Sequence, residues 1–503
     1  MISYIEIESA KLRGMAENLL KTGQSRLTAM FANDERTLNG GMAIYCIFAD
    51  KSSGKHLCLK TLLNAEPFEF PSLVPVTPAA AWFEREIHDL FGLIPIGHPD
   101  LRPLVLHENW PAELYPLRKD FDQSLVVDEA HKEYAIPEVK GEGVFEVPVG
   151  PIHAGIIEPG HFRFSQAGEN IINLEAKLFY THRGIEKAVE GLPIETAFYQ
   201  AERICGVCTV SHALAFAQAV ESIAKVTIPE RAEHIRVLMA ELERLYNHIG
   251  DIGNLCAGVG FAVGISHGSR IKEMLVRLNE ILTGNRFLRG MVTLGGVNMD
   301  ITDDMAAKIQ STLRLVEADF KELVSILKQS GAFLDRINTT GILPRQAAVD
   351  LAVVGVAARA SGVDADVRRD FPYSLYSELD FKVPIQASGD VAARLWVRVD
   401  EVTQTISIIR QVLSSRPPKG GPLTTVIPEL PPHKTALGWS ESARGSNIHW
   451  LMTGKDNTVY RLFVRSASYA NWPSLTVAVP GNIIPDFPLI NKSFELCYAC
   501  TDR

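Results

Sequence analysis

The hydrophobic rhythm of the chain changes near residue 144. Before it, in residues 1–125, GMAIYCIFAD and KHLCLKTLL are apolar runs separated by the turn KSSGK, and they predict two strands. AAAWFEREIHDLFGL predicts a helix that stops at a glycine, followed by a loop at IPIGHPDLRP. These elements make a small mixed α/β module. The polar stretch DQSLVVDEAHKEYAIPEVKGEG reads as a linker, assigned to 126–143.

Beyond it, VFEVPVGPIHAGIIEPGHFRF predicts two short strands around a Pro/Gly-rich turn, and long helical patterns follow. In IPERAEHIRVLMAELERLYNHIG, Ile235, Leu238, Leu242, Leu245 and Ile249 recur at helical spacing, with Pro229 suited to the first helical position. GVGFAVG departs from the dinucleotide-binding glycine pattern and reads as a close-packed helix turn. After the loop SSRPPKGGPLTTVIPELPPHK come β-like runs such as VYRLFVRSASY. The expected class is α+β: a small N-terminal α/β domain over 1–125, a linker, and a large, mainly helical domain over 144–503 with short β segments at both ends.

Composition narrows the partners. A formal charge of −9 leaves no general basic footprint, which argues against nucleic acid. Seven cysteines in 503 residues do not make a secreted disulfide scaffold. No apolar run reaches the roughly 18–20 residues needed to span a bilayer, and the N-terminus lacks a signal-peptide pattern. The expectation is a cytoplasmic chain able to dock on a membrane complex.

The cysteines carry the chemistry. Cys205 and Cys208 are three apart in ERICGVCTVSH, and so are Cys497 and Cys500 in SFELCYACTDR. One turn or tight loop can therefore aim both sulfurs of a pair at one ion. Thiolates are soft ligands suited to zinc, copper, nickel or iron–sulfur clusters. The spacing alone leaves open structural zinc, two unrelated redox or metal pairs, or one shared buried centre. If a helix begins at Cys208, His212 lies on the same face and can hydrogen-bond a metal-bound sulfur. Cys46, Cys58 and Cys256 stand alone in apolar contexts and read as core residues.

The residues around the pairs resemble a known family. R-I-C-G-V-C-T-V-S-H and the closing CYACTDR are similar to the two metal-binding motifs of NiFe hydrogenase large subunits of the membrane-associated, complex-I-related kind. THRGIEK and DVRRDFPYSLY resemble the core shared with complex I. WFEREIHDLFGLIPIGHPDLRPLVLHENWP is similar to the thirty-kilodalton subunit of the complex I peripheral arm. The fusion of the two parts points to the formate hydrogenlyase or hydrogenase-4 type.

The resemblance implies that Cys205, Cys208, Cys497 and Cys500 hold nickel, with Cys208 and Cys500 bridging to an iron that carries CO and cyanide. It implies Glu158, in GPIHAGIIEPGHFRF, as first proton relay, and Arg444, in GWSESARGSNIHW, over the open metal face. Cys497 takes the proton, and Ser474, in NWPSLTV, hydrogen-bonds a cyanide. Mg is implied as an additional ion. Glu495-Leu496 stands where the family commonly has Asp-Pro, which bears on hydrogen bonding around Cys497.

No cysteine set remains for iron–sulfur clusters, so a small iron–sulfur subunit must carry at least the nearest one. Further implied partners are a polyferredoxin subunit, integral membrane antiporter-like subunits and formate dehydrogenase, on the cytoplasmic face of the inner membrane. The substrates are H2 and protons. The family's processing habit implies that the gene encodes residues after Arg503, removed after nickel insertion. The rival readings are a complex-I-like NADH/quinone oxidoreductase or coupling subunit without hydrogenase activity, and a zinc-stapled assembly protein.

Overall fold

The computed structural model describes residues 2–128, 130, 136–154 and 157–503. Residues 129 and 131–135 of the expected linker, and 155–156 of the expected Pro/Gly turn, lie outside them. The architecture is α+β, as expected.

The N-terminal module is built on a four-stranded sheet in the order Ile2–Glu6, Lys55–Leu63, Gly41–Asp50, Ser25–Glu35. The first pair is parallel and the other two are antiparallel. The two strands expected from the sequence are Gly41–Asp50 and Lys55–Leu63. Gly41–Asp50 is buried on both faces for nearly its whole length, which explains its unbroken apolar run. The expected helix is Ala81–Phe91, and it stops where Gly92 adopts φ 71°. A Cβ there would sit 2.4 Å from the Tyr115 ring, so only glycine closes this helix without displacing the ring. The stretch read as a loop holds a short strand, Ile94–Ile96, parallel to Glu69–Pro71. Three residues are too few to show a periodicity.

The module is packed directly on the C-terminal sheet of Thr435–Ser442, Gly445–Thr453 and Val459–Arg465. Phe31 stacks on Phe463 at 4.3 Å between ring centroids, and Tyr45 meets Trp450 at 4.8 Å. All four rings are buried, and full burial of such a side chain contributes about 1.5–3 kcal/mol. The two parts therefore share a core.

The larger part is mainly helical, dominated by Thr209–Ala224, Glu230–Ala257, Ala262–Thr283, Asp303–Gln329 and Val391–Ser415. Pro229 caps the second of these from outside, with ψ 136°, one position earlier than expected. Its ring suits the helical φ, but the chain is still extended there. The five apolar positions named above are buried, yet so are Arg236, Glu241, Arg244 and His248 on the other faces of that helix. Burying these charges requires partners. Arg368 bonds Glu241 at 3.1 Å and Asp366 at 2.7 Å, while Arg359 bonds Glu401 at 2.7 Å and Glu441 at 2.9 Å.

GVGFAVG forms the tight turn between Glu230–Ala257 and Ala262–Thr283, as expected, and a Cβ on Gly264 would meet Cys256 Sγ at 2.4 Å. Strands Val144–Val149 and His161–Ala167 form as expected and are joined by Asn170–Lys177.

Candidate metal centre

The fold brings the two thiol pairs together. Cys205 Sγ lies 3.7 Å from Cys497 Sγ across 292 residues of sequence. The sulfurs of Cys205, Cys497 and Cys500 lie within 4.8 Å of one another, and Cys208 packs in the same buried cluster. Cys497 alone of the four is partly exposed. The set fits one small soft cation, because sulfurs bound at about 2.3 Å around a tetrahedral ion lie about 3.8 Å apart. Cys46, Cys58 and Cys256 are buried elsewhere in the apolar core.

Local structure explains the aim of each pair. The amides of Val207 and Cys208 donate to Cys205 Sγ at 3.3 and 3.2 Å, and the amide of Cys500 donates to Cys497 Sγ at 3.3 Å. Such bonds favour the charged sulfur. Mutual hydrogen bonding within the cluster pushes the Cys208 and Cys497 thiols well down, and burial with the same bonding pushes Cys500 well up. Cys208 caps the helix Thr209–Ala224, as expected. Glu243 anchors that helix by accepting from Val210 N at 2.6 Å, Ser211 N at 3.1 Å and Ser211 Oγ at 2.6 Å. Burial pushes the Glu243 carboxyl up to about 8.

His212 reaches this cluster from the helix, but toward the other pair. Its Nε2 lies 4.0 Å from Cys500 Sγ, the limit for a sulfur hydrogen bond, and its Nδ1 lies 2.9 Å from His449 Nε2. Burial pulls His212 down to about 4, so it is neutral near pH 7. One ring nitrogen of the His212–His449 pair must then donate and the other accept.

Glu158 is half-buried, and its Oε2 accepts the Ala499 amide, between the two terminal cysteines, at 2.8 Å. Burial raises its carboxyl, and the Cys497 thiol adds to the shift. Arg444 sits at the hairpin tip between Thr435–Ser442 and Gly445–Thr453. Its side chain donates to Glu495 O at 2.7 Å, Asn247 Oδ1 at 3.0 Å and Asp251 Oδ1 at 3.2 Å. Burial works against its charge, but Asp251 and the Cys208 thiol hold it protonated. The hairpin tip is seated against Gly355, where a Cβ would come within 2.2 Å of Arg444 O.

Ser474 is not brought to the thiols by any hydrogen bond: its Oγ donates to Asn471 O, one turn back in its own helix, at 2.6 Å. The hydroxyl at the cluster belongs to Ser468, six residues earlier, which accepts the Cys497 amide at 2.9 Å. Both serines are on the helix Ala467–Ala478, and the sequence offers no way to choose between them.

Three further residues escaped the sequence reading. Arg183 donates to Arg203 O, Ile204 O and Ala499 O at 3.2, 2.8 and 2.9 Å, tying the two thiol segments together. Asp502 accepts from Phe179 N, Thr181 N and Thr181 Oγ1 at 3.0, 3.0 and 2.7 Å. Arg503 is buried. The motif THRGIEK pointed at this region without assigning the contacts. At the departure from the family pattern, Glu495 takes φ 52° and its carboxyl accepts from Asn254 at 2.7 Å.

The fold and the paired-thiol site define the class: this chain belongs to the nickel-dependent hydrogenase large subunits related to complex I. The family described as nickel-dependent hydrogenase matches residues 183–257, which hold the first thiol pair. The 49 Kd subunit family of respiratory-chain NADH dehydrogenase matches 258–436 and 422–503, and the 30 Kd subunit family matches 5–125. Formate hydrogenlyase subunit 5 of Escherichia coli is 38% identical over 483 residues, covering 95% of this chain and 84% of that one. Hydrogenase-4 component G of the same organism is 38% identical over 485 residues, with the same coverage. Among solved structures, a chain of the membrane-bound sulfane sulfur reductase, an archaeal respiratory membrane complex, aligns with TM-score 0.68 and 28% identity, covering 72% of this chain and 99% of that one. No helix among the described residues is long and apolar enough to cross a membrane.

Proposed function

We infer that this chain is the catalytic large subunit of a NiFe hydrogenase that interconverts H2 with protons and electrons. We place it as an H2-evolving member of a membrane-bound, formate hydrogenlyase-like complex. The observation that carries the reading is the convergence of two thiol pairs, 292 residues apart between Cys205 and Cys497, in one buried cluster. Cys205, Cys208, Cys497 and Cys500 would hold the metals; iron with CO and cyanide, and Mg, are part of the proposal. When bound, nickel and iron would supply the sites at which each H2 is exchanged for two protons and two electrons.

The chain's own residues handle the proton. Cys497, the partly exposed thiol, receives it. Glu158, hydrogen-bonded between Cys497 and Cys500 through the Ala499 amide, passes it outward. Arg444 places a fixed positive charge beside the thiols without reorganising during turnover. Ser468 and His212 orient Cys497 and Cys500 from behind.

Electrons leave through iron–sulfur clusters on a small partner subunit, because Cys46, Cys58 and Cys256 are scattered in the core. A polyferredoxin subunit, antiporter-like membrane subunits and formate dehydrogenase complete the proposed assembly, on the cytoplasmic face of the membrane. The proposed units are 1–125 and 144–503, joined by 126–143.

The second reading, a quinone-linked or coupling subunit without hydrogenase chemistry, is favoured by the 49 Kd and 30 Kd subunit matches. Metal analysis of the anaerobically purified complex, together with infrared bands from CO and cyanide, decides between them. Stoichiometric nickel with those bands supports the hydrogenase. A nickel-free complex that turns over quinone supports the second reading, and zinc without nickel would leave only the structural-staple alternative.

A further inference from the structure

The segment that carries Cys497 and Cys500 ends in a side chain that reaches out of its own domain. Arg503, 3% exposed, places Nη2 2.5 Å from Glu86 Oε2 and Nη1 3.0 Å from Glu186 Oε1. Glu86 belongs to the helix Ala81–Phe91 of the N-terminal module, and Glu186 to the thiol-bearing part.

The two carboxylates are unequal. Glu186 also holds Arg461 at 2.7 Å and accepts the Val464 amide at 3.0 Å. Among the described residues, Arg503 is the ion-pair partner of Glu86, and no other cation shares it. A buried carboxylate with one cation depends on that cation staying in place. Arg503 lies one turn after Cys500, and its amide bonds Ala499 O at 3.1 Å, so displacing its guanidinium pulls on the helix Tyr498–Asp502.

We propose that Glu86, in the N-terminal module, is a positioning residue for the terminal thiol pair: by holding Arg503 it fixes the segment that carries Cys497 and Cys500. The other clamps on this segment, among them Asp502 on residues 179–182, Arg183 and Glu158 on Ala499, Ser468 on Cys497 and Glu186 on Arg503 itself, come from the thiol-bearing part. The Glu86 clamp makes the seating of the N-terminal module and the closure of the metal centre one linked equilibrium. A module that is not seated withdraws Glu86, and a segment that is not closed leaves Glu86 buried without its cation.

The proposal rests on reading Cys497 and Cys500 as metal ligands, so its test uses one readout that depends on metal and one that does not. In the intact complex, Glu86→Gln keeps shape and hydrogen-bonding capacity while removing the charge. Hydrogen–deuterium exchange of residues 497–503 should become about tenfold faster or more. Nickel should also be lost faster to a chelator. Phe31→Leu is the control, because it loosens the aromatic contact between the modules while leaving in place both carboxylate partners of Arg503 and the Phe463 ring, whose centroid lies 6.0 Å from the Arg503 guanidinium. It should speed exchange in Ser25–Glu35 and leave 497–503 at the parental rate. Parental exchange of 497–503 in Glu86→Gln overturns the proposal, and so does equal acceleration by Phe31→Leu, which would make Glu86 an ordinary docking contact. Faster exchange without nickel in either protein would uphold the clamp and overturn the metal reading instead.

Discussion

Thr209 and Thr501 occupy the same place in the two halves of the thiol site. Each follows the second cysteine of its pair. Thr209 Oγ1 donates to Cys205 O at 3.2 Å, and Thr501 Oγ1 donates to Cys497 O at 2.9 Å. The amide of the second cysteine bonds the sulfur of the first in both pairs. The unit is therefore Cys-x-x-Cys-Thr, used twice: the hydroxyl closes the turn on its carbonyl side while the amides orient the sulfur.

Replacing Thr501 by Val keeps the branched shape and deletes that hydrogen bond. The Cys497 carbonyl then loses a partner at a partly buried position, which should cost about 1–2 kcal/mol. Thr209→Val should cost a similar amount. Chemical unfolding of each variant measures it, and a loss below about 0.3 kcal/mol in both would remove the threonines from the turn's energetics.

Any one of Cys205→Ser, Cys208→Ser, Cys497→Ser or Cys500→Ser should abolish H2 turnover and lower nickel content. A hydroxyl is a hard, poorly ionised substitute for a soft thiolate. Nickel per chain and H2 evolution are measured together. Parental values for both in one variant would exclude that cysteine from the centre.

Much of this site was legible before the fold was known. Cys205, Cys208, Cys497 and Cys500 stand out because thiol pairs at this spacing are rare and chemically specific. Glu158 and Arg444 became candidates only through family resemblance, since lone charged residues in turns carry no signal of their own. Ser474 entered through that resemblance, while Ser468, whose hydroxyl meets the Cys497 amide, entered only through the fold: both are small hydroxyls on one helix, and only the helix's rotation separates them. The Arg503–Glu86 contact links residues 417 apart, and no local pattern reports it. The fold followed a similar rule. Long runs such as Gly41–Asp50 and Glu230–Ala257 announced themselves, but three-residue Ile94–Ile96 did not. Arg244 and Arg368 are buried against the expectation for arginine, because Glu241, three residues before Arg244 on its own helix, also meets Arg368 from a segment 127 residues away, while Asp366 is a local partner of Arg368.

Glu158→Gln should retain the metals and slow turnover. The amide can still accept from Ala499 N, so the geometry survives, but it cannot carry a proton. A loss of about 10²-fold or more in H2 evolution, at parental nickel content, is expected for a relay at this position. Turnover within a factor of about two of the parent would move the proton route elsewhere.

Arg444→Lys conserves charge but not the fork. The guanidinium serves Glu495 O, Asn247 Oδ1 and Asp251 Oδ1 from three nitrogens. One ammonium on a flexible stem cannot hold all three directions. Turnover should fall by about tenfold or more while nickel is retained. Unchanged turnover would assign Arg444 to structure alone.

Asp366 should make the folded state sensitive to acid. Burial opposes its charge, but Arg368 and Arg359 overcome this and hold the carboxyl down at about 2. In the unfolded chain an aspartate titrates at about 3.9. The folded pKa is the lower one, so this group's stabilisation is fully present above the unfolded value and is lost as pH falls through the folded one. A gap of nearly two units corresponds to about 2 kcal/mol. Glu241 and Glu401, also held below the usual carboxylate range despite burial, contribute with the same sign. Asp366→Asn removes one titrating partner and leaves Arg368 with Glu241. It should be less stable than the parent at pH 6 by about 3–5 kcal/mol, the cost of breaking a buried pair. That deficit should shrink by about 2 kcal/mol between about pH 5 and about pH 2, because the parent loses the same interaction on protonation. Denaturant unfolding of both proteins across that range measures it, and a deficit that stays constant with pH would mean that Asp366 does not titrate between the two states.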